Sequence, residues 1–140
     1  MTIDRIFLDA NILFSVAYGS PGLDRLWELS KKKECELFAS KYVVEEARRN
    51  LFQAEQTKKL DACLSKVIIV PDIDPQIPCP IELAEKDRPV LLGAISIKAN
   101  YLLTGDTTHF GKYFGRTVRG VKICRPRDYF SNLRLKKKRK

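Results

Sequence analysis

Residues 3–18 read IDRIFLDANILFSVAY. Ile3–Leu8 is a short apolar run with Asp4 and Arg5 inside it, compatible with a buried strand. It stops at Asp9-Ala10-Asn11, after which Ile12, Leu13, Val16 and Ala17 recur at helical spacing. Gly19-Ser20-Pro21-Gly22 then makes a loop. A strand that runs through an acid into a helix sets the pattern for the rest of the chain.

Leu23, Leu26, Trp27 and Leu29 mark an amphipathic helix whose polar end carries Lys31-Lys32-Lys33, a solvated last turn favoured by the helix dipole. Glu36–Ala39 reads as a second strand, and Ser40 is well placed to cap the helix bearing Val43, Val44, Ala47 and Leu51. A helix over Ala54–Leu64 leads into a β-branched strand, Val67–Val70, and then into an irregular connector, Pro71–Pro80, with four prolines. Asp87 opens another helix, with Pro89 in its first turn and Asn100 as its terminator. Tyr101–Thr104 and Val121–Cys124 read as the fourth and fifth strands, and Pro126–Leu133 as a last short helix. Alternating strands and helices predict a single three-layer α/β domain with a mainly parallel sheet of about five strands flanked by helices.

Composition agrees with one domain. With 140 residues, 44% of them apolar, the chain can build a core, and no apolar run is long enough for a membrane span. The start of the chain lacks the basic opening and small-residue cleavage site of a signal peptide, so a cytoplasmic location without membrane partners is expected. The net charge is +9, but the seven residues Arg134–Lys140 contain six basic side chains, which divides the chain into a domain over residues 1–133 and a basic tail over 134–140. Cys35, Cys63, Cys79 and Cys124 show no CxxC spacing and read as reduced, mostly core-filling thiols. The single histidine, His109, has no cysteine at zinc-ligand spacing.

The acids fall where the strands end. Asp9 follows the first strand, Glu45 and Glu46 follow the second, and Asp106 follows the fourth, while Asp87 heads the helix that feeds that strand. In an open parallel sheet the ligand crevice lies at the carboxyl ends of the strands, near the switch in strand order. Each acid alone has an ordinary reading as a helix cap, a turn residue or part of a solvated face. Together they are costly, since two carboxylates about 5 Å apart repel by about 3 kcal/mol at an effective dielectric near 20. A fold that gathers them needs something positive among them, and hard oxygen ligands with no His or Cys suit Mg²⁺ or Mn²⁺.

Four segments, Ile6-Phe7-Leu8-Asp9-Ala10-Asn11-Ile12-Leu13, Val43-Val44-Glu45-Glu46-Ala47-Arg48-Arg49, Asp87-Arg88-Pro89-Val90-Leu91 and Tyr101-Leu102-Leu103-Thr104-Gly105-Asp106, stand in an order and spacing that resemble the PIN-domain family. That family comprises metal-dependent ribonucleases and includes the toxins of many toxin–antitoxin pairs. The resemblance runs from about Ile3 to Phe130. It implies that Asp9, Glu46, Asp87 and Asp106 are the catalytic, metal-binding acids, with Mg²⁺ or Mn²⁺ as cofactor. Glu46 is preferred to Glu45 because the family's acid precedes residues that Ala47-Arg48-Arg49 match. Asn11 and Thr104 match polar positions beside the site. Where many members carry a further Asp or Asn, this chain has Thr107-Thr108-His109, a departure that bears on a second ion more than on the first. His109 is then either a loop residue or a substrate-contacting group at the rim.

The implied activity is hydrolysis of RNA phosphodiester bonds leaving 5′-phosphate and 3′-hydroxyl ends. The implied partners are an RNA substrate, an antitoxin protein and a second copy of the chain. A metal-free route through the RNA 2′-hydroxyl commonly uses two histidines, and only one is present. Phosphoaspartyl chemistry at Asp9 would want a second Asp two residues on, where Asn11 stands. The alternative of another class is a non-catalytic α/β RNA-binding module with a basic tail, which would not need the four acids.

Overall fold

The computed structural model describes residues 3–138. Its first half runs β1 (Asp4–Leu8), α1 (Ala10–Tyr18), α2 (Pro21–Lys31), β2 (Cys35–Ser40), α3 (Lys41–Arg49), α4 (Ala54–Leu64) and β3 (Ile68–Val70). The second half runs α5 (Arg88–Ser96), β4 (Tyr101–Leu103), α6 (Thr107–Phe110), β5 (Thr117–Val118), β6 (Val121–Cys124) and α7 (Pro126–Lys138), with one 3-10 turn at Gly111–Tyr113. The sheet order is β3-β2-β1-β4-β6-β5, and only β5 is antiparallel to its neighbour. Helices cover the sheet to give three layers.

The sequence of β1 accounts for its central place. Ile6, Phe7 and Leu8 are wholly buried, as both faces of an inner parallel strand must be. β1 pairs in parallel with β2 on one side and β4 on the other, so strand order reverses across it. That reversal opens the crevice between the ends of β1 and β4. Helix α1 packs on α2, α3 and α4, while α5 lies against β1, β2 and β4. The close approach of α5 is set by Gly93, where an added Cβ would meet Phe7 Cζ at 2.9 Å.

Helix α4 and strand β6 have the boundaries expected from sequence, and Ser40 caps α3 by accepting from the Val43 N–H at 3.2 Å. The mainly parallel sheet is as expected, and among the described residues it has one strand beyond the five read from sequence. The added strand, β5, has only two residues and is turned back onto β6 by Arg119 (φ 51°) and Gly120 (φ 87°), a left-handed pair of the type that closes tight hairpins. Asn100 does not end α5, which stops at Ser96. It starts the next pairing instead: its side-chain carbonyl accepts from the Arg5 N–H and its own N–H donates to the Arg5 carbonyl, both at 2.8 Å. The last helix continues to Lys138, so most of the basic stretch has helical backbone, and Arg139 and Lys140 lie outside the described residues. All four cysteines are free, with Cys35 and Cys124 buried. No helix among the described residues is long and apolar enough to cross a membrane.

Gly93→Ala should lower stability by about 1–2 kcal/mol, because pushing α5 off the Phe7 ring costs more than the gain in helix propensity. A thermal midpoint equal to or above that of the parent would show that the Phe7 contact relaxes freely.

Candidate active site

Asp9 comes directly off β1. Its N–H donates to the Leu103 carbonyl at 3.0 Å, extending the pairing with β4 by one step and setting Asp9 beside Thr104. Its side chain has turned to the start of α1. One carboxylate oxygen, Oδ1, accepts from the Ala10 N–H at 2.7 Å. The other, Oδ2, accepts from the Thr104 hydroxyl at 2.8 Å and from Asn11 Nδ2 at 3.0 Å. Asn11 in turn accepts the Gly105 N–H through Oδ1, and Thr104 Oγ1 accepts from the Asp106 N–H. The two polar residues flanking the acids therefore tie the end of β1 to the loop after β4.

Glu46 reaches the same place from α3. Its neighbour Ala47 is buried, Glu46 is half-buried and Glu45 is exposed, as the 100° step between adjacent helical residues requires. Asp87 occupies the N-cap position of α5 but makes no capping bond. Pro89 has no N–H to offer, and the Val90 N–H is already held by Asp87's own carbonyl at 3.1 Å. The carboxylate is left free to turn into the protein. Asp106 does cap, accepting the His109 N–H at 3.0 Å through Oδ1, and its Oδ2 meets His109 Nδ1 at 2.7 Å.

Asp9, Glu46, Asp87 and Asp106 all line one cleft of about 300 Å³, together with Asn11 and Lys86. Thr104, wholly buried, lies beneath it as the partner of Asp9, and His109 stands between Asp87 and Asp106. Lys86, Phe14 and Asn50 also line the cleft and were not singled out from sequence. For two of them a signal existed: Asn50 is four residues after Glu46, and Phe14 is one turn after Ala10, each on the face its helix presents to the acids. Lys86 sits in an irregular segment with no periodicity to read.

The carboxylates do not share one electrostatic state. Burial pushes the Asp9 carboxyl up to about 6, the hydrogen bonds from Thr104 and Ala10 oppose the shift, and the charges of Glu46 and Asp87 add to it. Asp87 is also raised by burial and by Asp106, against the pull of His109 and Lys86. For Asp106, partial burial raises the value, but the backbone and ring of His109, with Lys86 beyond, bring it below the ordinary carboxylate range. Burial, with Glu46 and Asp87 nearby, raises the phenol of Tyr42, whose hydroxyl donates to the Lys86 carbonyl at 2.7 Å.

The residue set fits a hard divalent cation. Asp87 is only 7% exposed, and its Oδ2 is buried without a hydrogen bond among the described residues. A buried ionised oxygen with no donor is costly unless a cation is to meet it.

The family model for the PIN domain matches residues 5–108. The chain belongs to the PIN-domain family. Its members are generally nucleases that use divalent metals, and the acids of this PIN domain stand at the carboxyl end of the sheet. The fold is similar to that of a chain in the crystal structure of VapBC2 from Rickettsia felis bound to a DNA fragment from their promoter. The TM-score is 0.60 at 16% identity, with 85% of this chain and 96% of that chain covered. Comparison with curated proteins gives no match.

The raised Asp9 value has a definite sign in stability. With an unfolded value of 3.8 and a folded value near 6, Asp9 costs nothing below about pH 4, and its cost grows as pH rises through 6. In metal-free buffer, acidification from pH 7 to 5 should therefore stabilise the parent relative to Asp9→Asn, on the order of 1 kcal/mol or a few degrees in Tm. A gap between the two proteins that does not move with pH would remove the buried charge as its source.

Proposed function

We propose that this PIN domain is a divalent-metal-dependent endoribonuclease and the toxin of a toxin–antitoxin pair. The observation that carries the reading is the convergence of Asp9, Glu46, Asp87 and Asp106 on one cleft at the strand-order switch. A module that only bound RNA would gain nothing from four carboxylates facing a polyanion, so the non-catalytic alternative is disfavoured. The toxin role and an antitoxin partner rest on the resemblance to a family that includes such toxins and on the fold shared with a chain of VapBC2. A second copy of the chain belongs to the same reading.

In this reading Asp9, Glu46, Asp87 and Asp106 hold Mg²⁺ or Mn²⁺. Bound there, the ion would supply positive charge to a phosphoryl group and lower the pKa of a water. The chain's own residues do the positioning. Thr104 and Asn11 keep Asp9 in one rotamer, and the Ala10 N–H holds its second oxygen. Lys86, exposed at the cleft, offers an ammonium group to the phosphate backbone. Residues 1–133 form the nuclease domain, and residues 134–140 act as a basic arm that follows the RNA backbone without choosing sequence.

Asp9→Asn and Asp106→Asn should each lower Mg²⁺- or Mn²⁺-dependent RNA cleavage at least about a hundredfold, while circular dichroism and gel filtration stay unchanged. Glu46→Gln should behave the same way and Glu45→Gln should retain activity. The opposite order of the two glutamates would place the wrong one in the cleft. End-group analysis should find 5′-phosphate products.

For the arm, truncation after Leu133 should weaken RNA binding most at low salt and flatten the salt dependence. Each phosphate of a single strand that the arm no longer neutralises lowers the slope of log affinity against log salt by about 0.7. Cleavage positions should not change. Superimposable salt titrations of full-length and truncated protein would reduce the arm to a solvated end.

A further inference from the structure

The four-acid set leaves His109 without a role, yet its ring stands against two of the acids that line the cleft. Nδ1 lies 2.7 Å from Asp106 Oδ2 and 3.7 Å from Asp87 Oδ2. One ligand atom from each of the three residues falls within 4.8 Å of the other two. Adjacent ligands around a six-coordinate ion with bonds near 2.1 Å stand about 3 Å apart, and the two nitrogen–oxygen spacings bracket that value.

A second observation concerns the Asp87 carboxylate itself. The residue is 7% exposed, makes no cap, and among the described residues leaves Oδ2 buried and without a donor. A histidine serving only to neutralise the pair would have been expected to donate to that oxygen, but at 3.7 Å it does not. Asp106 is fixed for a different task. With Oδ1 committed to the His109 N–H, its Oδ2 is the oxygen left facing the ring.

We propose that His109 Nδ1 is a direct ligand of the catalytic ion, which makes the centre a mixed nitrogen–oxygen site that selects Mn²⁺ over Mg²⁺. The inference rests on the metal-dependent nuclease reading and adds to it the identity of a ligand and of the preferred ion. Binding takes the tautomer protonated on Nε2: any proton on Nδ1 that bridges to Asp106 passes to solvent while Nε2 carries the ring's one proton, which frees the Nδ1 lone pair for the ion. Mg²⁺ holds oxygen ligands and water and gains little from an imidazole, whereas later divalent ions gain more. The position three residues after Asp106 brings the ring over the same turn of chain that caps α6, so the ligand comes with the fold of that short helix.

The test uses the full-length protein with one equivalent of Mn²⁺ and reads the ion, not the activity. Pulsed electron spin resonance of the parent should show ¹⁴N modulation from a directly bound imidazole, and His109→Ala should lose it. His109→Gln serves as a second variant, since it can still donate to Asp106 but brings no ligand nitrogen. Mn²⁺ affinity, followed by loss of the free-ion signal, should fall on the order of tenfold or more in either variant, and Mg²⁺ affinity measured by competition should fall clearly less. Mn²⁺ that binds the parent without ¹⁴N modulation, modulation that survives in both variants, or an equal loss for the two ions would overturn the assignment while leaving the four-acid nuclease reading intact. A parent protein that binds no Mn²⁺ at millimolar concentration would overturn both.

Discussion

Removing the Asp9 carboxylate from water while keeping it able to ionise is the constraint on which the cleft depends. Asp9 is 5% exposed, and a lone carboxylate at that depth would simply stay protonated. The Thr104 hydroxyl and the Ala10 N–H limit the rise of its pKa to about 6, and Asn11 Nδ2 is a third donor to the same carboxylate. Each donor answers to a different part of the architecture. Ala10 is where α1 begins, Asn11 is one residue further along it, and Thr104 is where β4 ends. The carboxylate is thus held only if β1 and β4 are neighbours, which joins the topology of the sheet to the protonation of one side chain.

That neighbour relation also fixes the other acids. Because β1 pairs with both β2 and β4, the segments that leave the three strands emerge at one end of the sheet, bringing α3 with Glu46 and the turn with Asp106 to Asp9. Asp87 arrives differently, on a helix whose distance from the sheet is set by the missing side chain of Gly93 over Phe7. The contact between a glycine and a phenylalanine in the core therefore helps to set where a buried carboxylate stands.

The order of elements, the inner strand and the four acids were legible because each is written in local pattern. The run Ile6-Phe7-Leu8 states its own burial, and an acid immediately after a strand states its own position. Residues fixed by conformation or by distant contact were not legible in this way. β5 is two residues long and owes its existence to the left-handed pair Arg119-Gly120, which carries no hydrophobic period. Asn100 read as a helix terminator because a polar residue after an apolar run commonly is one, and only its backbone and side-chain bonds to Arg5 reveal that it leads into β4. Lys86 enters the cleft from a segment of 17 residues, 71–87, without helix or strand, where no spacing rule applies.

The carboxylates divide by the kind of partner that holds them, and the division has a chemical consequence. Asp9 is restrained by neutral donors, which lower the cost of its charge without cancelling it. Against its partial burial, Asp106 is held down first by hydrogen bonds from the backbone and ring of His109, with the Lys86 ammonium adding to them, whereas Asp87 stays raised by burial against the pull of His109 and Lys86. The field in the cleft is consequently most negative on the Asp9 and Glu46 side and partly compensated on the other. A polyanion approaching such a cleft meets repulsion on one side and a lysine on the other, so binding in a productive orientation requires the uncompensated side to gain positive charge first. On the ribonuclease reading proposed above, this asymmetry would have a cation load before RNA.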